Sequence, residues 1–396
     1  MIRWIRQTLA VTALNLKTIH RRLGSSAVSI VGIAGVVVVM VSVLSIAEGF
    51  QAAMEASGSP SRALVMRAGA DTEMTSGLDG AEADVIKQAP GLLQDGATPV
   101  ASAELYVLID LPMISTGTPA NVPMRGIEPA AMRVRDEVSV VEGRMFAFGT
   151  NEVIVGRAAA RQFRGLTLGN RIQSGQHTWE IVGIFEADGG VAETELWADA
   201  RTLQGVYRRG NSFQLVAARL DSTGAFDTFR DWLTSNPQLE VQVRRETEYY
   251  QSQSQTMSNL IRTIGYTIAG LMGIGAVFGA ILTMYTAVAT RAREIATLRA
   301  LGFNASSVVT SVLVEALVFG ALGGLLGGVA AYFAFNGYQT STMNWQTFSQ
   351  VAFAFQVTPR LLASGILYAL TMGMVGGLLP AVRAARQPIP AALREL

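Results

Sequence analysis

The sequence predicts a membrane α-helical protein: four transmembrane helices with one large α/β domain inserted between the first and the second. Four apolar runs, an uneven placement of Arg and Lys, and a long polar stretch between the first two runs carry this reading. Hydrophobic residues make up 50% of the 396 and charged residues only 15%, against about 25% charged in an ordinary soluble domain. Lipid is therefore part of the solvent.

A spanning helix needs about 20 apolar residues. Residues 27–47 and 263–290 carry no charge, 308–335 carry only Glu315, and 361–382 carry none, with Pro380 near the end. The first run could be read as a leader peptide, since Ser45-Ile46-Ala47 loosely resembles a cleavage site. It exceeds the ~7–15 apolar residues of such a leader, and its basic flank is long, so a retained span is expected.

Orientation follows from Arg and Lys, which favour the cytoplasmic side. Arg3, Arg6, Lys17, Arg21 and Arg22 precede the first run; Arg291, Arg293 and Arg299 separate the second from the third; Arg383, Arg386 and Arg394 follow the fourth. The stretch 336–358 has no charge. The expected order is a cytoplasmic segment 1–25, spans at 26–48, 261–290, 308–335 and 361–382, an outer domain 49–260, a cytoplasmic segment 291–307, a short outer loop 336–360 and a cytoplasmic tail 383–396. That places the chain in a bacterial inner membrane with both termini inside.

The net charge of +1 hides a split: residues 49–260 hold 18 basic and 26 acidic side chains, and the rest 13 basic and 4 acidic. Topology accounts for the basic remainder, so membrane lipid is an expected partner and nucleic acid is not. The outer stretch alternates strand-like runs at 63–67, 105–109, 152–155, 178–184 and 213–218 with helical candidates at 158–163 and 199–207. Residues 45–56 and 246–259 contain no helix breaker and read as continuations of the adjoining spans, a two-helix stalk.

Soluble-enzyme signatures are scarce. There is no cysteine, no phosphate loop of the G-x-x-x-x-G-K-[ST] kind and no H-E-x-x-H pair. The two histidines, His20 and His177, are far apart and lack carboxylates at metal-ligand spacing, so no metal and no cofactor is expected on this chain. Glu193 and Glu195 alternate near a loop and read as a solvated face rather than an acid–base pair.

Glycines recur every fourth residue within the spans: Gly320, Gly324 and Gly328, also Gly323 and Gly327, with Gly275/Gly279 and Gly373/Gly377 at the same spacing. Such strips let helices approach closely, within the chain or in a dimer. Glu315 is the one acid within a span. Its cost in lipid marks it as a functional candidate, although it lies about two turns from the helix start and could simply reach the interface.

The most informative stretch is residues 290–303, T-R-A-R-E-I-A-T-L-R-A-L-G-F. Ile295, Leu298 and Leu301 form an apolar stripe at helical spacing, and Gly302 can end the helix. Taken alone it is a basic amphipathic loop at a membrane surface. The pattern R-x-R-E-I-A-T-L-R-A-L-G-F, continued by Val314-Glu315-Ala316 and by residues 383–394, resembles the cytoplasmic coupling segment and tail of ABC transporter permeases of the MacB/FtsX/LolC-E type, the type VII or mechanotransmission permeases. Glu142-Gly143-Arg144, then residues 151–156, 168–172 and 181–185, are similar to that family's periplasmic core pattern. Asn170 and Gln387 stand where the family often has Asp.

The resemblance implies a MacB-like periplasmic core domain and a permease that is not itself an enzyme. A separate ABC ATPase subunit would bind ATP and Mg. A second permease copy would complete the transporter, an identical chain in preference to a related one. Arg291, Arg293, Glu294, Ile295, Leu298, Arg299 and Gly302 would couple to the ATPase. Efflux with a periplasmic adaptor and an outer-membrane channel is the expected role; lipoprotein release and control of a periplasmic hydrolase are the alternatives.

Overall fold

The computed structural model describes residues 2–18, 23–174 and 177–390. His20, Arg21, Arg22 and Arg394 lie outside them. The chain divides into two compact units, one comprising Met1–Glu48, Asn259–Tyr338 and Phe355–Leu396, the other Gly49–Ser258 and Gln339–Ala354.

Among the described residues, four helices are long and apolar enough to cross a membrane: Ser26–Ala56 within helix Leu23–Ala56, Glu246–Ala289, Ala305–Phe335 and Pro359–Arg386. The first two have 34 and 44 residues. At about 1.5 Å per residue both exceed a ~30 Å hydrocarbon core, so each runs on as the unbroken sequence predicts. The fourth begins at a sharp start signal: the Thr358 hydroxyl accepts from the Leu361 amide at 3.2 Å, with Pro359 in the first turn.

Glycine sets how closely these helices meet. A Cβ on Gly320 would lie 2.7 Å from the Ala369 carbonyl oxygen, one on Gly324 2.9 Å from the Ala369 Cβ, and one on Gly328 3.3 Å from Leu362. From the facing side, a Cβ on Gly373 would lie 2.6 Å from the Ala316 carbonyl oxygen and one on Gly377 2.5 Å from the Ala316 Cβ. The third and fourth spans thus pack backbone to backbone. Gly323 and Gly327 do the same toward the first span, at 2.9 Å from Ile33 and 2.6 Å from the Ala34 carbonyl oxygen.

Gly275 and Gly279 do not pack against the described residues of the chain, which leaves the dimer half of the expectation for them. Among the described residues no atom lies within 4 Å of a Cβ at either. Their side of the second span also bears Leu271, Phe278 and Leu282, all exposed. The inward face carries Gly265, Ala269, Gly273, Ala280 and Met284 instead. Spacing identified a smooth strip but not which way it faces.

The segment before the first span also adds an element: helix Ile2–Thr18. It is held to the third span and its approach. Trp4 donates from Nε1 to the Ser306 hydroxyl at 3.0 Å, and Asn15 donates to the Ser311 hydroxyl at 2.5 Å.

The second unit is built on a ten-stranded mixed sheet. From one edge its strands are Val241–Arg245, Arg62–Arg67, Leu215–Arg219, Ala101–Pro112, Pro119–Ile127, Leu196–Asp199, Glu152–Gly156, His177–Glu186 and Ser139–Gly143, with Arg171–Ser174 added to His177–Glu186. Strand Ala101–Pro112 joins two halves: its first residues pair with Leu215–Arg219 and the rest with Pro119–Ile127. In the second half both faces are covered. Val153, Val155, Leu196 and Ala198 enter one core, Ile154 and Trp197 the other. Burial on both faces explains the unbroken apolar run at 153–155. The loop between the third and fourth spans is a hairpin, Gln339–Asn344 with Ser349–Ala354, where the sequence suggested only a short loop.

Candidate functional site

The segment joining the second and third spans forms helix Ala292–Ala300. Its end is fixed by Gly302 at φ +92°, a conformation that costs little only without a Cβ. The Phe303 amide donates to the Leu298 carbonyl and the Gly302 amide to the Arg299 carbonyl, both at 3.1 Å. That reciprocal pair is the Schellman end, which satisfies carbonyls a helix otherwise leaves open.

Both ends of this short helix are clamped. At its start, Arg291 donates from Nη2 to Glu315 Oε1 at 2.8 Å, and the two side chains are only 4% and 5% exposed. At its end, Arg299 donates from Nη1 to the Gln387 carbonyl at 2.7 Å. Gln7 of the N-terminal helix spans the turn beyond, donating to the Gly302 carbonyl at 3.3 Å and accepting from the Asn304 amide at 3.5 Å.

The seven sequence candidates therefore separate into three sets. Arg291 and Ile295 are buried, with Ile295 packed in a cluster with Met284, Val288, Val308 and Val312. Leu298 and Arg299 are half-buried. Arg293, Glu294 and Gly302 are exposed, as are Thr297, Ala300 and Leu301. Leu301 is 73% exposed, so the apolar stripe of Ile295, Leu298 and Leu301 does not lie on one surface. The outward face, Arg293, Glu294, Thr297 and Leu301, is what a partner can reach. Leu301 is legible in the sequence as the end of the apolar stripe, whereas Thr297 carries no such signal.

The second unit holds a buried charge network that the sequence did not suggest. Arg125 forks onto Glu195 with two bonds of 2.7 Å, and its Nη1 lies 2.9 Å from Glu104 and 2.8 Å from Glu73. Arg135 also binds Glu104, and Arg62 binds both Glu246 and Glu137. Burial pushes the Glu73 carboxyl above its ordinary value, an effect that Arg125 only partly offsets. Burial acts the same way on Glu104, but Arg135 and Arg125 together outweigh it and hold that carboxyl below the usual range.

Glu195 is thus not on a solvated face; it is 3% exposed and also accepts from Trp197 Nε1 at 2.8 Å. Glu193 accepts from the amides of Ala187 and Gly189 at 2.9 and 2.8 Å, bracing their loop. Neither is arranged as an acid–base pair. Among the described residues no cluster of His, Asp and Glu could hold a metal.

The four outer-domain motifs converge on one another. Arg144 forks onto Glu152 at 2.7 and 2.6 Å, and the Ala147 amide donates to Glu152 at 2.9 Å. The Arg144 hydrogen bonds and that amide lower the Glu152 carboxyl to about 2. Gly143 has φ +74°, and a Cβ there would collide with the Val182 carbonyl. The Gly169 amide donates to the Ile181 carbonyl at 2.8 Å, and the Ile181 amide to the Asn170 carbonyl at 2.9 Å. These motifs hold a strand junction together and offer no free chemistry.

Residues 26–236, more than half of the chain, match the family model described as the MacB-like periplasmic core domain, and residues 266–389 match the FtsX-like permease C-terminal model. The chain is an ABC transporter permease of the MacB/FtsX-like family. The permease is 30% identical over 139 residues to an uncharacterized ABC transporter permease, YknZ of Bacillus subtilis strain 168. That match takes in 33% of the permease and 31% of the relative, so the chain spans about a third of it. Among solved structures, the extracellular domain of the noncanonical ABC-type transporter YknZ from Gram-positive bacteria is 17% identical. It covers 46% of this chain and 99% of that one, with a TM-score of 0.36. The periplasmic region of MacB from Actinobacillus actinomycetemcomitans is 12% identical, covers 48% and 92%, and has a TM-score of 0.37. The permease is a multi-pass membrane protein with an extracytoplasmic domain.

Proposed function

We propose that this permease converts ATP hydrolysis by a separate ATPase subunit into movement of its outer domain, for export with a periplasmic adaptor and an outer-membrane channel. Two identical permease chains would sit in a bacterial inner membrane with both termini cytoplasmic, and ATP and Mg would be held by the ATPase alone.

The observation that supports this reading is the clamped helix Ala292–Ala300. Its outward face carries Arg293, Glu294, Thr297 and Leu301, while Arg291 ties its start to Glu315 on the third span and Arg299 ties its end to the chain after the fourth. A push on the exposed face is therefore delivered to two spans at once. The unbroken helices Leu23–Ala56 and Glu246–Ala289 would carry it outward.

The test is purification of the full chain with its cognate ATPase and reconstitution with candidate periplasmic partners. ATPase stimulation by an adaptor supports export. Stimulation by a lipidated protein and its carrier, or by a hydrolase activator, replaces export with one of the other two roles. A chain that neither binds an ATPase nor alters its turnover removes the proposal.

A further inference from the structure

The second and fourth spans touch where a Cβ on Gly376 would lie 2.7 Å from the Ala280 Cβ. Beyond that contact a cleft of about 500 Å³ opens between them, walled by Tyr285, Val288 and Ala289 on one side and Arg383, Arg386 and Gln387 on the other. Arg383 and Arg386 stand one turn apart, so they face the same way. Arg383 lies over the Tyr285 ring, 5.4 Å from its centroid. Both arginines are exposed, and among the described residues neither meets a carboxylate. Of the other arginines near this end, Arg291 is committed to Glu315 and Arg299 to the Gln387 carbonyl, while Arg293 lies exposed on the outward face of helix Ala292–Ala300 and does not line the cleft.

We propose that this cleft binds the phosphodiester head group of an anionic phospholipid. Guanidinium groups match phosphate oxygens with paired donors, and basic pockets between spanning helices are where anionic head groups lodge. The wall opposite the arginines is the end of an apolar helix whose outer side also exposes Leu282 and Phe278, a surface for acyl chains. Charge selects within the class. A zwitterionic head group brings an ammonium, and no described carboxylate lines the cleft to receive it. Gln387 belongs to both the cleft and the Arg299 clamp, so an occupied cleft steadies the chain to which helix Ala292–Ala300 is tied.

The experiment is binding and thermal unfolding of the full chain in detergent, titrated with phosphatidylglycerol, phosphatidylcholine or free glycerol phosphate. Phosphatidylglycerol is expected to raise the melting temperature, and the double variant Arg383→Gln/Arg386→Gln to weaken its binding about thirtyfold, each arginine acting on an anionic head group. Arg360→Gln, an exposed arginine at the start of the fourth span, should bind as the unaltered chain does. Arg383→Lys/Arg386→Lys, which keeps the charge, should fall between. Four results overturn the proposal: equal stabilisation by phosphatidylcholine, equal stabilisation by glycerol phosphate, undiminished phosphatidylglycerol binding in the glutamine variant, or loss of ATPase binding by that variant in pure phosphatidylcholine bilayers. The last would make the cleft a protein contact.

Discussion

Arg291 and Glu315 form a buried ion pair, Nη2 to Oε1 at 2.8 Å, that joins the start of helix Ala292–Ala300 to the third span. Both side chains are almost wholly removed from solvent. Each charge is tolerable only because the other is there. Removing one partner leaves an uncompensated buried charge, which costs about 3–5 kcal/mol, whereas replacing both with apolar residues can be nearly neutral. Arg291→Met and Glu315→Gln should therefore each lower the melting temperature clearly, and Arg291→Met/Glu315→Leu should recover most of it. If the pair is only structural, the double variant will also keep ATPase coupling. If it transmits force, coupling stays lost while stability returns. Equal stability of both single variants and the unaltered chain would show that the pair does not form.

The outward and inward faces of helix Ala292–Ala300 predict opposite phenotypes. Leu301 is exposed and touches little, so Leu301→Asp should change stability by no more than about 0.5 kcal/mol. It should nevertheless release the ATPase during co-purification, and Glu294→Arg should do the same. Ile295→Asp buries a charge in an apolar cluster and should instead unfold this region, seen as a lowered melting temperature before any partner is added. A Leu301→Asp chain that holds its ATPase with unchanged turnover would remove this face from the interface.

Glycine substitutions should sort by face and not by spacing. A methyl group on Gly320 meets the Ala369 carbonyl at 2.7 Å, and one on Gly373 meets the Ala316 carbonyl at 2.6 Å. Backbone cannot yield cheaply, so Gly320→Ala and Gly373→Ala should each cost about 1–3 kcal/mol. Among the described residues Gly275→Ala and Gly279→Ala meet nothing, and the gain in helix propensity should leave them neutral or up to about 1 kcal/mol more stable. The comparison is made by thermal unfolding in detergent, where chains can be kept dilute. Destabilisation by Gly275→Ala under those conditions would mean that this face has a partner, and a second permease copy would be the first to test by crosslinking.

These residues also mark what the sequence makes legible. A span declares itself through local composition, and the end of helix Ala292–Ala300 through Gly302, because both depend on neighbours in sequence. The strip at 320, 324 and 328 was readable for the same reason, but its partner was not, since a period of four marks a face without fixing its direction. The resemblance places Arg291 among the residues that would couple to an ATPase, and nothing local marks it as buried. Only the packing of two helices reveals Glu315, 24 residues on, as its partner. In the outer domain the gap is wider: Arg62 and Glu246 are 184 residues apart and meet because a sheet edge returns beside the start of a helix. The hairpin within 336–360 has no charge and little alternation, so nothing local distinguished it from a loop.

The outer domain should show opposed pH limbs. Burial raises the Glu73 carboxyl above the ordinary 4.5, so the folded chain holds its proton more tightly than the unfolded chain does. Stability from this group is present at acid pH and is lost as pH rises through the folded value, so stability should climb as pH falls through that value toward 4.5. Glu104 and Glu152 are lowered, the latter to about 2, and act in reverse. Their stabilisation is present above 4.5 and is lost as pH falls toward the folded values. Unfolding of the full chain in detergent, followed from about pH 8 to about pH 3, should therefore pass through a mildly acidic maximum. Glu73→Gln should flatten the neutral limb alone, and Glu152→Gln the acid limb alone. The second effect should be the smaller, because the Arg144 partner is solvent-exposed and screened. A neutral limb that persists unchanged in Glu73→Gln would assign the slope to another group.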